Sequence, residues 1–197
     1  MKDLLTPEQL ADAYIAKATQ LNSCYIRNDG HGKFTISPLP WLAQQTILNS
    51  MIVEDFDGDG NLDVVINTND YSTNVSIGRY DALNGLLMLG DGHGNFKPQS
   101  TLQSGIFISG NGKAMVKLRS AKGEYLLAAS QNRGPLKLFR LKKTGLLAIG
   151  TGPAAYEALI RTPDGKDQKR ELYSSGFLSQ SARFIMYSEH SQFKQHD

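Results

Sequence analysis

An internal repeat constrains the fold of this chain more than any other feature of its sequence. Residues 28–34 read NDGHGKF and residues 90–96 read GDGHGNF, which gives five identities in seven at an offset of 62 residues. The same offset aligns residues 51–66 with residues 113–128, where the apolar pattern is retained although the acidic residues are not. The sequence therefore contains two copies of one structural unit.

The composition of each copy favours β-strands. Between residues 25 and 146, short apolar or β-branched runs alternate with clusters of Gly, Asn and Asp, as in antiparallel strands joined by turns. Two glycines in each DGHG turn accept positive φ, and the Phe that follows is expected to point into the sheet packing. A repeat of about 60 residues has the size of a large β-propeller blade. We therefore predict a mainly β fold with part of a β-propeller over residues 25–146.

The two ends of the chain are expected to differ from the repeats. Residues 6–9 (TPEQ) have the pattern of a helix capping box with proline in the first turn. Four apolar residues follow at helical spacing: Leu10, Tyr14, Ala18 and Leu21. These features predict an N-terminal helix within residues 1–24. Residues 147–197 are predicted to form a small C-terminal β segment.

The acidic segment at residues 55–63 (DFDGDGNLD) predicts a metal site. Its carboxylates at positions 1, 3, 5 and 9 repel one another unless a cation lies among them, and hard oxygen ligands suit Ca²⁺. Asn61 is expected to supply a main-chain carbonyl oxygen, and water would complete the shell. The predicted side-chain ligands are Asp55, Asp57, Asp59 and Asp63.

Other readings of this segment fit less well. EF-hand and dockerin-like loops need an acidic residue at position 12, which is Ile66 here, and an EF-hand also needs flanking helices. The flanking residues 51–53 and 64–66 favour strands instead. A solvated acidic turn without a metal is the remaining alternative. It would place the unpaired charge of Asp63 at the start of an apolar strand, which is costly.

The pairing of a DGxGxF turn with a DxDGDGxxD loop resembles the FG-GAP/VCBS repeat of integrin α-chain propellers and many secreted bacterial proteins. Residues 176–181 (GFLSQS), with the hairpin-like residues before them, resemble the end of an ASPIC/UnbV domain. The resemblance implies a β-propeller with calcium in its blade loops, further blades in a longer parent chain, and an extracellular or outer-membrane surface location. It also implies that Asp55, Asp57, Asp59, Asn61 and Asp63 are calcium ligands.

In the second copy, the aligned loop positions carry no acidic residues, so no calcium is expected there. These positions are Lys117, Arg119, Ala121, Gly123 and Tyr125. One hypothesis is that Lys117 and Arg119 place fixed cations where the first loop holds an ion. The alternative is that both are solvated loop charges.

Charge and composition exclude several classes of function. Residues 1–100 carry 6 basic and 12 acidic side chains, and residues 101–197 carry 15 and 7, so the net charge of +2 hides an asymmetry. The basic half lacks an aromatic-lined RNA-binding motif, so we expect no nucleic-acid partner. Its positive charge could instead dock against an acidic neighbouring domain or a polysaccharide. No apolar stretch is long enough for a membrane-spanning segment, and the first residues do not read as a signal peptide. Cys24 is the only cysteine, so no intrachain disulfide is expected.

These observations favour a non-enzymatic, calcium-binding module for binding or scaffolding, with a protein or glycan ligand in adhesion or glycan handling. The alternative is a surface polysaccharide hydrolase or lyase that uses the clustered acids, although no GxSxG, HExxH or phosphate-loop motif occurs. His31 and His93 occupy equivalent turns, about a blade apart, and are not expected to share a metal. Residues 69–83 read as an insertion that either contacts a ligand or covers a strand edge.

Overall fold

A computed structural model describes residues 16–142, 145–152, 154–163, 165–172, 175–176 and 179–196, together with residues 6, 9, 11, 13 and 14. The described chain is mainly β, with several antiparallel sheets, as the sequence predicts. Its helical elements include a 3-10 helix at Trp41–Gln44 and a single-turn α-helix at Thr101–Ser104, and Gln9 is also helical. Among the described residues, no helix has the length and apolar character that crossing a membrane requires.

Both copies of the DGHG motif form hairpin turns. β1 (Cys24–Gly30) pairs with β2 (Lys33–Pro38), and β5 (Leu86–Gly90) pairs with β6 (Phe96–Gln99). Asn28 lies opposite Phe34 in the first hairpin. In the second hairpin the equivalent pair, 62 residues further on, is Gly90 opposite Phe96. The repeat in the sequence is therefore also a repeat of strand register.

The strands that follow each hairpin also correspond. β3 (Leu48–Glu54) and β4 (Asp63–Thr68) join β5 and β6 in a four-stranded antiparallel sheet with the order β3-β4-β5-β6. β7 (Gly112–Arg119) and β8 (Tyr125–Gln131), the counterparts of β3 and β4, form the next sheet with β9 (Lys137–Arg140). This second sheet is also antiparallel and has the order β7-β8-β9.

The C-terminal part of the chain contains shorter sheets, two of which pair strands that are distant in sequence. β10 (Leu146–Gly150) pairs with β15 (Phe184–Ser188). β11 (Glu157–Arg161) lies between β12 (Asp167–Glu171) and β16 (Gln192–His196). β13 (Ser175–Gly176) and β14 (Ser179–Gln180) form a short pair.

The main core lies between the four-stranded sheet β3-β4-β5-β6, which we call the first sheet, and the second sheet β7-β8-β9. Ile52 of β3, Val65 of β4 and Leu127 of β8 are buried there together with Phe184 of β15. On the other side of β4, Ile66 packs with a second buried cluster that includes Met88 and Ala43. Because β4 is buried on both faces, it reads as a continuous apolar run rather than an alternating one.

Two asparagine side chains, Asn67 fully buried and Asn49 partly buried, connect the two sheets through their amides. Asn67 donates from Nδ2 to the carbonyl oxygens of Ala114 (3.2 Å) and Ser130 (3.0 Å). Asn49 donates to the carbonyl oxygen of Gly112 at 2.8 Å. These bonds fix the position of β7 and β8 relative to β3 and β4, because a buried amide has no water to replace its partners.

The predicted alignment of the two loops is wrong by three residues. Residues 55–62 connect β3 to β4, whereas the shorter segment 120–124 connects β7 to β8. Lys117 and Arg119 therefore lie in β7 and not in a loop. Lys117 forms an ion pair with Glu54 at the end of β3, so it is neither a substitute for a loop cation nor a solvated loop charge.

Of the described residues in the predicted N-terminal helix, Gln9 is helical, whereas residues 13, 14 and 16–21 are not. The capping box is present, since Thr6 N donates to Gln9 Oε1 at 2.9 Å and Gln9 N donates to Thr6 Oγ1 at 3.4 Å. Residues 16–21 are not helical, and Tyr14 and Leu21 are 93% and 86% exposed. An apolar helix face needs a surface to pack against, and the described apolar residues of this segment are exposed instead. Leu10 lies outside the described residues.

Candidate metal centre

The acidic loop begins and ends at two paired residues. Glu54 at the end of β3 lies opposite Asp63 at the start of β4, so residues 55–62 leave the sheet and return to the same place. Gly58 and Gly60 have φ values of 78° and 90°, a region that side chains disfavour. These two glycines let the loop curl so that its carboxylates turn inwards.

Three of the four predicted carboxylates converge. Asp55, Asp57 and Asp63 each offer an oxygen atom, and these atoms lie within 4.8 Å of one another. Two oxygens that share an ion at about 2.4 Å lie at most about 4.8 Å apart, so this spacing is compatible with one shared ion. The cluster could therefore bind a metal ion, and its ligands are all hard oxygen atoms.

The two buried members of the cluster also organise the loop. Asp55 accepts from Gly58 N at 2.6 Å and from Gly60 N at 3.0 Å. Asp63 accepts from Phe56 N at 2.8 Å and from Gly90 N, at the end of β5, at 2.9 Å. The carboxylates thus hold the loop in shape and attach it to the neighbouring strand.

Burial perturbs the titration of both carboxyl groups. Asp63 is fully buried, and this desolvation raises its pKa to about 6, against the lowering effect of its backbone hydrogen bonds. Desolvation also raises the pKa of Asp55, and the charges of Asp59 and Asp57 add to the increase. Both shifts indicate that the folded loop accommodates these negative charges poorly without a compensating cation.

Asp59 and Asn61 do not join the three carboxylates. Asp59 is exposed, and its carboxylate accepts from the backbone N of Asn61 at 2.7 Å and from the Asn61 side-chain amide at 3.0 Å. The structure therefore places Asp59 in a local turn beside the cluster. A main-chain carbonyl ligand from Asn61 stays a prediction.

The C-terminal strands contact the acidic loop in a way that the sequence does not predict. Gln168 of β12 donates from Nε2 to the carbonyl oxygen of Gly60, although the two residues are 108 positions apart. Burial lowers the pKa of Arg170, while the negative charges of Glu54, Asp55 and Asp63 act in the opposite direction. Arg170 thus lies within the field of the acidic loop. No local sequence pattern points to either residue.

The other candidate residues lie apart from the cluster. His31 and His93 are exposed in separate hairpin turns. The insertion at residues 69–83 is anchored to the body of the protein, since Asp70 bridges to Tyr80 and pairs with Lys113 of β7 at 3.2 Å. Within this insertion, Arg79 lies over the Tyr71 ring at 4.7 Å.

No protein-family model matches this chain, and no curated protein matches it significantly. The functional interpretation therefore depends on the residues of the acidic loop and on their geometry.

Proposed function

We propose that this chain is a calcium-binding, non-enzymatic β-propeller module that serves in binding or scaffolding. The observation that carries the proposal is the convergence of Asp55, Asp57 and Asp63 on one point in a loop that two buried carboxylates organise. The role of the ion is to stabilise this loop, because three clustered negative charges disfavour the folded state without it.

Calcium suits the donor set better than a transition metal does. The cluster offers carboxylate oxygens and contains no histidine or cysteine. Ca²⁺ takes six to eight oxygen ligands in flexible geometry, so carbonyl oxygens of the loop and water molecules can complete the shell. Mg²⁺ demands a stricter octahedral arrangement and keeps more of its own water.

The strand order supports assignment to the FG-GAP/VCBS class of propeller repeat. β1 to β4 correspond in order to β5 to β8, and the four-stranded sheet combines the last two strands of one copy with the first two of the next. The boundaries of the sequence repeat therefore differ from the boundaries of the sheet. This is expected when each blade of a propeller is built from strands of two successive repeats. β5 pairs on both sides, whereas its counterpart β1 pairs only with β2 within the described residues. Further blades of a longer chain would supply the missing neighbour.

The enzymatic alternative, a polysaccharide hydrolase or lyase, fits the site less well. The raised pKa of Asp63 resembles that of a general acid. Its side chain is fully buried, however, and both of its oxygens accept backbone hydrogen bonds. A residue held in this way cannot approach a glycosidic oxygen, so we assign the carboxylates to ion binding.

The proposed ligand is a protein or glycan at the surface of a bacterial cell, in keeping with the repeat family that the sequence resembles. An extracellular or outer-membrane surface location belongs to the same proposal, since millimolar calcium outside the cell would saturate even a weak site. A glycan array probed in calcium and in chelator would identify carbohydrate ligands. Turnover of any glycan would favour the enzymatic alternative.

The calcium assignment is tested by the thermal stability and binding heat of the purified chain. We expect a higher melting temperature in excess calcium than in chelator, and a calorimetric titration that saturates with calcium more tightly than with magnesium. Asp55→Asn should weaken both responses, whereas Asp91→Asn, which removes an exposed charge outside the cluster, should leave them unchanged. Equal melting temperatures of the parent chain in calcium and chelator would exclude the proposal.

A further inference from the structure

A small cavity of about 70 Å³ lies beside the acidic loop, where the first sheet meets the C-terminal strands. Its charged lining residues are Glu54, Lys117, Arg170, Glu171 and Arg183, and Thr151 adds a hydroxyl group. These six residues come from β3, β7, β12 and the segments next to β10 and β15. The cavity is large enough for a small ion or a few water molecules.

Three buried polar atoms of the lining residues lack hydrogen-bond partners among the described residues. They are Thr151 Oγ1, Arg170 Nε and Arg183 Nε. Each unsatisfied buried group is costly, and native proteins normally supply a partner, an ordered water or an ion. Three such groups around one cavity therefore point to an occupant, and all three can act as donors.

The unpaired donors of the lining favour an anion as this occupant. Lys117 is already neutralised, because its ammonium group pairs with Glu54 and also donates to the carbonyl oxygen of Phe184 at 2.8 Å. Arg183 donates from its terminal nitrogens to the carbonyl oxygens of Gly152, Ala155 and Leu172, which leaves its charge uncompensated by these bonds.

The lining residues alone comprise three cations and two carboxylates, and Asp55 and Asp63 of the acidic loop also act on Arg170, so the three unpaired donors rather than net charge carry the assignment. We infer that this cavity is a binding site for a small monovalent inorganic anion, of the size of chloride or nitrate. The Arg170 and Arg183 Nε–H groups and the Thr151 hydroxyl donate to the anion. The bound anion stabilises the packing of the C-terminal strands against one another, since it bridges donors from β12 and from the segments beside β10 and β15.

The test compares the parent chain with two variants that each remove one buried hydroxyl group. Thr151→Val deletes a hydroxyl of the cavity. Ser50→Ala is the matched control, because Ser50 Oγ is also buried without a partner but does not line the cavity. Melting temperatures are measured in sodium chloride, sodium nitrate and sodium gluconate at equal ionic strength. Excess chelator in every buffer makes the result independent of the proposed calcium site.

We expect chloride or nitrate to raise the melting temperature of the parent and of Ser50→Ala by about 3 °C over gluconate at a tenfold excess over Kd. Thr151→Val should lose most of this shift. Crystals of the parent soaked in bromide should show anomalous scattering in the cavity. A shift of equal size in all three proteins, or a cavity that holds only water, would overturn the inference. If Thr151→Val does not fold, the bromide experiment decides alone.

Discussion

Asp57→Asn should change stability in opposite directions with and without calcium. Asp57 is the least buried carboxylate of the cluster, and the only described hydrogen bond of its side chain is accepted from Asp59 N at 3.1 Å. Asparagine keeps an oxygen for this bond, so the substitution removes one negative charge with little other change. In chelator, we expect the variant to be more stable than the parent.

The magnitude follows from the spacing of the carboxylates. Two charges 4.8 Å apart repel by about 3.5 kcal/mol at an effective dielectric constant of about 20, and by about 0.9 kcal/mol in water. Asp57 has two such neighbours and is half exposed, so its repulsions lie towards the lower value. We therefore expect metal-free Asp57→Asn to gain about 1–3 kcal/mol of stability.

Calcium should reverse this advantage. Loss of one of three charged ligands is expected to weaken calcium binding about 10- to 100-fold, which corresponds to about 1.4–2.7 kcal/mol. The parent should therefore gain more stability from saturating calcium than the variant does. Urea unfolding followed by circular dichroism, in chelator and in excess calcium, measures both effects on the same protein.

Asp59→Asn is the informative comparison, because it removes a neighbouring loop charge that lies outside the cluster. It should reduce the calcium-induced gain less than Asp57→Asn does. An equal reduction would mean that the ion recruits the full ligand set predicted from the sequence. A metal-free Asp57→Asn protein that is less stable than the parent would refute the electrostatic reasoning itself.

Three further predictions concern the buried polar groups. Folding raises the pKa of Asp63 from 3.8 to about 6, so metal-free protein should lose stability as the pH rises from 4 through 6, whereas its calcium affinity should rise. Urea unfolding measures the stability and calorimetry measures the calcium affinity, each at pH 5 and 7.5. A stability and an affinity that change in the same direction with pH would contradict this. Asn67→Ala should cost about 2–4 kcal/mol in urea unfolding, since it removes a fully buried side chain and its two hydrogen bonds to the strands of the next sheet. A loss below about 1 kcal/mol would argue against the bridging role. Lys117→Met should lower the free energy of unfolding by about 3–5 kcal/mol, because it leaves the carboxylate of Glu54, which is only 4% exposed, without its partner. Adding Glu54→Leu should restore most of the lost stability. A single Lys117→Met variant as stable as the parent in urea unfolding would show that the carboxylate finds another partner.

The strands of the repeat could be predicted because their pattern is local. The apolar run of β4 and the glycines of the two hairpin turns act within a few residues of chain, and the structure forms strands and turns there. The loop between β7 and β8 was misaligned because an ungapped comparison cannot detect that it is three residues shorter. The predicted helix does not extend through the described residues 16–21, because the apolar pattern indicates a helix face without indicating what covers it.

The metal centre could be predicted in part for the same reason. The spacing of Asp55, Asp57 and Asp63 carries the geometry of the loop, and the structure brings these three together. Asp59 differs because Asn61, two residues later, engages its carboxylate, a competition that charge counting does not capture. The contact of Gln168 with the loop depends on how the C-terminal strands pack, and no local pattern encodes it.

The position of β15 has a consequence for how the protein folds during synthesis. Phe184 and Met186 of this strand complete the core that Ile52 and Leu127 begin much earlier in the chain. Until residue 186 has left the ribosome, the apolar surfaces of the first two sheets remain partly open to solvent and to other chains. We therefore expect nascent chains to need protection from aggregation late in translation, after most of their strands have been made.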